Sequence, residues 1–192
     1  MAKVYQLFSG EYVQHLAVAE ESREFYTSQS RRRSNGIWDF GSGGSKKDCW
    51  QPISLYIREP LEEPADIYKF SSSVLILEQR ARDALAPVIE SCGEVYEQPV
   101  EGRKCYVLNV MRFCEEPVGK DDFPEDGLYY PLEGVDSSIV RRPGGRVIAV
   151  SGVTPPELDF KLLVEKHNLK GLWFREVWDS ENYIPPPSQE DE

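Results

Sequence analysis

A chain of 192 residues, 40% hydrophobic and 11% aromatic, can fill a core without a disulfide or metal staple, which excludes an intrinsically disordered chain. Its net charge of −11 excludes general affinity for a nucleic-acid phosphate backbone. The opening residues lack a signal-peptide apolar stretch and nothing later approaches the roughly 20 apolar residues of a membrane span, so the chain reads as cytoplasmic, with no direct nucleic-acid or membrane partner.

Residues 4–8 (Val-Tyr-Gln-Leu-Phe) predict an N-terminal strand from their β-branched and aromatic content. Residues 11–26 satisfy strand and helix patterns alike, and His15-Leu16-Ala17-Val18-Ala19 stays open to either. From 28 to 47 the chain is rich in Ser, Arg, Asn and Gly and is broken by the apolar island Ile37-Trp38-Asp39-Phe40, which predicts a surface excursion pinned by that island. Within it, Arg31-Arg32-Arg33 reads as a solvated run. The stretch from Gly41 to Ser45 lacks the spacing of a phosphate loop and reads as a turn.

Residues 53–57 predict a strand, followed by a polar connection over 58–66. Residues 74–77 form a short, wholly apolar strand leading into a helix with Ala81, Ala84, Leu85, Val88, Ile89 and Cys92 on one face. Pro87 should kink that helix and Gly93 should end it. Strands follow at 95–100 and 105–110. In the last third, residues 147–150 predict a strand, and Thr154-Pro155-Pro156-Glu157 predicts a capping box with Pro155 at the first helical position. Phe160, Leu163, Val164 and His167 share a helical face, Asn168 is a left-handed stop, and residues 172–178 make the closing strand. The expected architecture is α+β: a mixed sheet with two strand–helix–strand units, 74–100 and 146–178, as a pseudo-repeat. One domain spans 1–184, and a Pro-rich acidic tail at 185–192 is expected to be disordered.

The residues that carry chemistry are sparse. Four cysteines stand without a C-x-x-C pair and there are two histidines, so no metal or other cofactor is expected and the thiols should pack as small apolar groups. No G-x-S-x-G, H-E-x-x-H, dinucleotide or EF-hand pattern occurs. His167 in a last helical turn favours the helix dipole over catalysis. The acidic balance is concentrated instead: residues 115–136 hold eight acids against Lys120, a local charge of −7. Asp121, Asp122, Phe123, Glu125, Asp126, Tyr129, Tyr130, Glu133 and Asp136 therefore form the candidate partner-binding surface, acidic and studded with aromatics. The competing reading of the same residues is a hydrated loop.

Several pieces in order resemble one family. They are Phe40-Gly41 followed by Trp50-Gln51-Pro52-Ile53, then Asp66 to Phe70, then Leu75 to Leu85 with a strand ended at Gln98-Pro99. The last is the ending Leu169-Lys-Gly-Leu-Trp-Phe-Arg-Glu-Val-Trp178, of the form Leu-x-Gly-Leu-x-Phe-x-x-Val-Trp. Over roughly residues 40–180 the chain is similar to the immunity-protein family 11 of bacterial polymorphic toxin systems. The resemblance implies a non-catalytic inhibitor that binds a cognate toxin and protects the producing cell. A toxin with a basic nuclease groove would suit so acidic a protein. The resemblance carries no catalytic residues, and Leu172, Phe174 and Val177 read as core. The rival expectation is an enzyme or small-ligand-binding domain with a carboxylate-lined pocket containing Arg141 or Arg142.

Overall fold

The computed structural model describes residues 1–30, 38–40, 43–58, 60–115 and 130–181. In chain order these form β1 (Lys3–Ser9), β2 (Leu16–Val18), α1 (Glu20–Gln29), β3 (Leu55–Ile57), β4 (Ile67–Lys69) and β5 (Leu75–Glu78). Next come α2 (Gln79–Ala84), α3 (Ala86–Cys92), β6 (Gly93–Glu97), β7 (Cys105–Val110), β8 (Ile139–Arg141), β9 (Val147–Ser151), α4 (Phe160–Lys166) and β10 (Leu172–Asp179). The strands build two four-stranded sheets, ordered β4-β5-β7-β6 and β10-β1-β9-β8, and the small ladder β2-β3.

The architecture is α+β as expected, but every ladder between these strands is antiparallel, so the sheets are not mixed. The reason lies in the connections. Short turns join β4 to β5, β6 to β7 and β8 to β9, and a short turn can only pair strands antiparallel. The two helical crossovers do bring strands back in parallel, yet never as neighbours. Between β5 and β6 lies β7, and between β9 and β10 lies β1. Each expected strand–helix–strand unit thus has a slot, filled in one case by the next strand and in the other by the N-terminal strand.

The apolar runs are explained by burial on both faces. Leu75 and Leu77 enter a central cluster with Leu85, Val88 and Phe160, whereas Val74 and Ile76 enter a second cluster with Trp38, Phe40 and Tyr96. In β9, Val147 and Ala149 join the central cluster while Ile148 and Val150 join a third, with Val4, Val140 and Tyr130. Successive strand residues point to opposite faces, so a strand covered on both sides reads as an unbroken hydrophobic run. The central cluster draws on both four-stranded sheets and on α2, α3 and α4, joining the two halves of the chain through one core.

The helices depart from the expected detail. α2 stops at Ala84, Leu85 (φ −98, ψ 6) makes the link, and Pro87 falls in the first turn of α3, where its missing N–H leaves no bond unmade. The kinked helix is therefore two helices, with Ala81, Leu85, Val88, Ile89 and Cys92 all buried. Thr154 makes no cap. The two prolines hold the chain extended at Pro155 (ψ 150), a 3-10 turn follows at Pro156–Leu158, and Asp159 caps α4 by accepting the Leu162 N–H at 3.1 Å. Asn168 takes the left-handed conformation (φ 47), as expected. His167 is exposed rather than packed with Phe160, Leu163 and Val164, and its carbonyl accepts a bond from Arg80 Nη2 at 2.6 Å.

Residues 11–26 resolve into β2 and most of α1, whose Phe25 and Tyr26 pack on the second cluster. Of the apolar island, Trp38 and Phe40 are deeply seated, at 3% and 1% exposed, and Ile37 lies outside the described residues. Arg31, Arg32, Arg33 and the tail at 185–192 lie outside the described residues.

Candidate protein-docking edge

Three of the four edges of the large sheets are engaged. Beside β6, Trp50 Nε1 donates to the Glu97 carbonyl at 2.8 Å, the Lys46 N–H donates to the Tyr96 hydroxyl at 2.7 Å, and the Gln98 side chain bonds the backbone of Ile53. Along β8, the Arg141 N–H donates to the Arg112 carbonyl at 2.7 Å and the Cys114 N–H to the Arg141 carbonyl at 3.1 Å. At β4, the Ile67 N–H donates to the Lys170 carbonyl at 3.0 Å. The fourth edge is β10, eight residues long, and among the described residues no strand pairs with its outer side. An open edge presents a row of backbone donors and acceptors to an incoming strand.

The side chains of β10 divide by face. Leu172 and Phe174 pack on the central cluster and Val177 on the third, which places all three inward as the sequence suggests. Trp173 takes the opposite phase: it is 55% exposed, with its ring 5.3 Å from that of Phe8. A groove of ≈ 360 Å³ runs between β10 and α4, with Val164, Leu169, Leu172 and Phe174 as apolar lining and the Lys161–Glu165 ion pair beside them. At the far end of the strand, Lys3 pairs with Glu176 at 2.9 Å and Asp179 at 3.1 Å, bonds that raise its pKa above the ordinary lysine value. The bulge between Val4 and Tyr5 shifts the register there and sets that end apart from the apolar half.

Of the sequence-predicted site, Asp121, Asp122, Phe123, Glu125, Asp126 and Tyr129 lie outside the described residues. Glu133 and Asp136 are exposed, with Asp136 Oδ1 3.9 Å from Arg112 Nε. Tyr130 differs from expectation: it is 1% exposed, and burial raises its pKa. Its ring packs in the third cluster while Leu132 and Val135 cover the same sheet face, so this tyrosine anchors the segment inward and offers no ring to a partner. Arg141 and Arg142 line neither this groove nor the smaller cavity at the end of β1. Arg141 is wholly buried and donates to the Val110 and Gly145 carbonyls at 2.9 Å and to Ser73 at 3.2 Å. Arg142 stands over the Tyr130 ring, 5.6 Å from its centroid.

The sequence reading missed Trp173 as a surface residue. The signal was present, because placing Leu172 and Phe174 inward forces the residue between them outward. No helix among the described residues is long and apolar enough to cross a membrane. No family model and no curated protein matches the chain.

Proposed function

We propose that this chain is an immunity protein that binds a cognate bacterial toxin and neutralises it without chemistry of its own. One observation carries the reading: no strand among the described residues pairs with the outer side of the strand holding the family-like ending, and that strand presents a 55% exposed tryptophan beside a groove of mixed apolar and charged lining. Tryptophan is enriched among the few residues that dominate binding energy at interfaces. An extended toxin segment would add to β10 through backbone bonds, with Trp173 as side-chain anchor. The net charge of −11, with Glu133 and Asp136 exposed, would steer a basic toxin toward the surface. Protection requires tight binding, and a Kd of 1 nM corresponds to roughly 12 kcal/mol.

The test is protection. A toxin domain encoded beside this chain is expressed in susceptible cells with and without it, and survival is scored together with isolation of a stoichiometric complex. Trp173→Lys is expected to fold normally and to weaken the complex by roughly 30-fold or more, the loss of one hot spot. Death of cells making the intact chain, with no complex formed, would show that this is not its immunity protein. Full protection by Trp173→Lys would move the interface away from β10.

A further inference from the structure

Two turns stand together where the β1–β10 ladder ends. The last rungs are Phe8↔Trp173 and Ser9↔Leu172, and beyond them the Gly10 N–H donates to the Gly171 carbonyl at 2.9 Å. The chain then turns through Glu11 and Tyr12 and is tied to the turn at 60–63. The Glu63 N–H donates to the Tyr12 carbonyl at 3.1 Å, and the Gln14 N–H to the Glu63 carbonyl at 2.9 Å. Gln14 Nε2 adds a bond to the Pro60 carbonyl at 3.2 Å, Val13 and Gln14 are buried, and Lys170 pairs with Glu63 at 3.0 Å. At this tip stand Leu61, 98% exposed, and Tyr12, 79% exposed, the two most exposed large apolar side chains among the described residues.

Tyr12 also takes the left-handed conformation, with φ 57. That conformation is unfavourable for a bulky residue, and turns ordinarily fill it with Gly, Asn or Asp. A ring so exposed regains little by burial, so neither local conformation nor core packing accounts for a tyrosine here. Strain of this kind is kept where a function outside the fold requires it. The charge of the tip says what meets it. Residues 10–14 and 60–64 carry three carboxylates, Glu11, Glu62 and Glu63, and no basic side chain. Glu11 and Glu62 make no ion pair among the described residues. Apolar side chains set among acids fit a basic surface with an apolar recess.

We propose that Tyr12 and Leu61 are a second set of anchors for the toxin, entering an apolar recess of its basic surface while the same partner meets Trp173. The inference rests on the immunity reading and adds a surface to it. A specific interface takes about 20–30 residues a side, more than the eight of β10, so a partner seated on that strand must reach past one of its ends. The end at Trp173 is the one that runs into this tip. The backbone bonds hold the tip in the free chain, so binding has little to order there beyond the two side chains.

The experiment follows binding of the full chain and its variants to the toxin domain encoded beside it, by surface plasmon resonance at several salt concentrations, with a urea denaturation curve for each variant. Tyr12→Asn and Leu61→Ser are each expected to raise the dissociation rate about tenfold or more. Neither should lower the urea midpoint, because Asn suits the left-handed conformation and Leu61 has almost no burial to lose. Glu11→Gln combined with Glu62→Gln is expected to slow association and flatten its salt dependence, with little change in dissociation. Weaker binding by Trp173→Lys with unchanged dissociation in both tip variants overturns the inference and leaves the immunity reading standing. Faster dissociation of the tip variants with normal binding by Trp173→Lys upholds the inference and moves the interface off β10. A lowered midpoint in Tyr12→Asn would show that the ring serves the fold, which also overturns it. Absence of any complex with the intact chain removes the inference together with the reading it rests on.

Discussion

Arg141 is a buried cation held by carbonyls. Its guanidinium donates to three backbone oxygens from separate parts of the chain, Val110 at the end of β7, Ser73 before β5 and Gly145 in the β8–β9 turn, so it ties one sheet to the other. Burial pushes its pKa down to about 10, only partly offset by the charge of Asp39, and its Nη2 has no hydrogen-bond partner. Arg141→Met removes the buried charge but strands three acceptors. Since each unmet buried group costs about 1–3 kcal/mol, the net loss is expected to be about 3 kcal/mol in urea denaturation. Arg141→Lys keeps the charge without the fork and should recover less than half of it. A neutral effect of Arg141→Met would mean that the carbonyls find water instead.

The thiols make a second residue-scale case. Burial pushes Cys92 and Cys105 up to about 12 from an ordinary value of 9.0, and raises Cys114 as well, while Cys49 is exposed. The native chain should therefore show one fast-reacting thiol toward a disulfide reagent, and four in denaturant. The sign of the pH effect follows. Between about 9 and about 12 the unfolded chain has released protons that the folded chain still holds, so stability falls as pH rises through that window and is unaffected by these groups below it. Denaturant midpoints that stayed flat from neutral pH to the alkaline limit, or three fast thiols, would contradict the buried assignment.

At the scale of elements, two glycines govern how strands approach each other. A Cβ on Gly171 (φ 112) would stand 2.0 Å from the Ile67 carbonyl oxygen, and one on Gly93 would stand 1.9 Å from that of Asn109. Gly171 is the glycine of the family-like ending, and its place in that motif has a steric reason: it lets the α4–β10 connection cross β4. Gly102 (φ 79) has open space around it, so Gly102→Ala tests backbone strain alone. Gly171→Ala and Gly93→Ala are expected to cost about 2–3 kcal/mol each, against about 1 kcal/mol for Gly102→Ala, measured by chemical denaturation. Equal losses at all three would show that backbone conformation, not contact, sets the cost.

Legibility divided along the same physical lines. Strands buried on both faces advertised themselves as Val-Leu-Ile-Leu and Val-Ile-Ala-Val. The three-residue strands β4 (Ile67–Lys69) and β8 (Ile139–Arg141) did not, being too short to show an alternation, whereas β3 (Leu55–Ile57) fell within the strand expected at 53–57. The amphipathic face from Ala81 to Cys92 was plain, while α1, with no buried residue, had no stripe to read. Of the site, the charge of the acidic segment was visible, but charge does not reveal that Tyr130 turns inward or that no described strand pairs with the outer side of β10. Both depend on what packs alongside, and that information sits far away in the chain.

At the scale of the whole molecule, the least legible feature is the place of β1. It lies in the middle of the C-terminal sheet, paired with β10 from Lys3↔Asp179 to Ser9↔Leu172 and with β9 from Lys3↔Ser151 to Gln6↔Ile148. Contacts so distant in sequence leave no local pattern, and they impose a large loop-closure cost on folding. The two large sheets nevertheless have the same connectivity. In each, a hairpin leads through helix to the far edge and an antiparallel strand fills the slot, β7 from the following hairpin in one and β1 from the N-terminus in the other. If β1 is the counterpart of β7, it should work equally well when it follows β10. The geometry permits this, because the Ser180 N–H donates to the Ala2 carbonyl at 3.0 Å and the Ala2 N–H to Ser180 Oγ at 3.0 Å, so the start of β1 and the residue after β10 already meet. A circular permutant beginning at Gly10, without residues 182–192 and joining Glu181 to Met1 through a short linker, makes the order hairpin, helix, β10, β1 contiguous. It is expected to fold with one cooperative transition, to refold faster than the natural order, and to keep the strands of the two sheets superposable in a solved structure. A permutant that fails to fold, or that refolds more slowly, would show that β1 must be placed before the C-terminal sheet forms and is not the counterpart of β7.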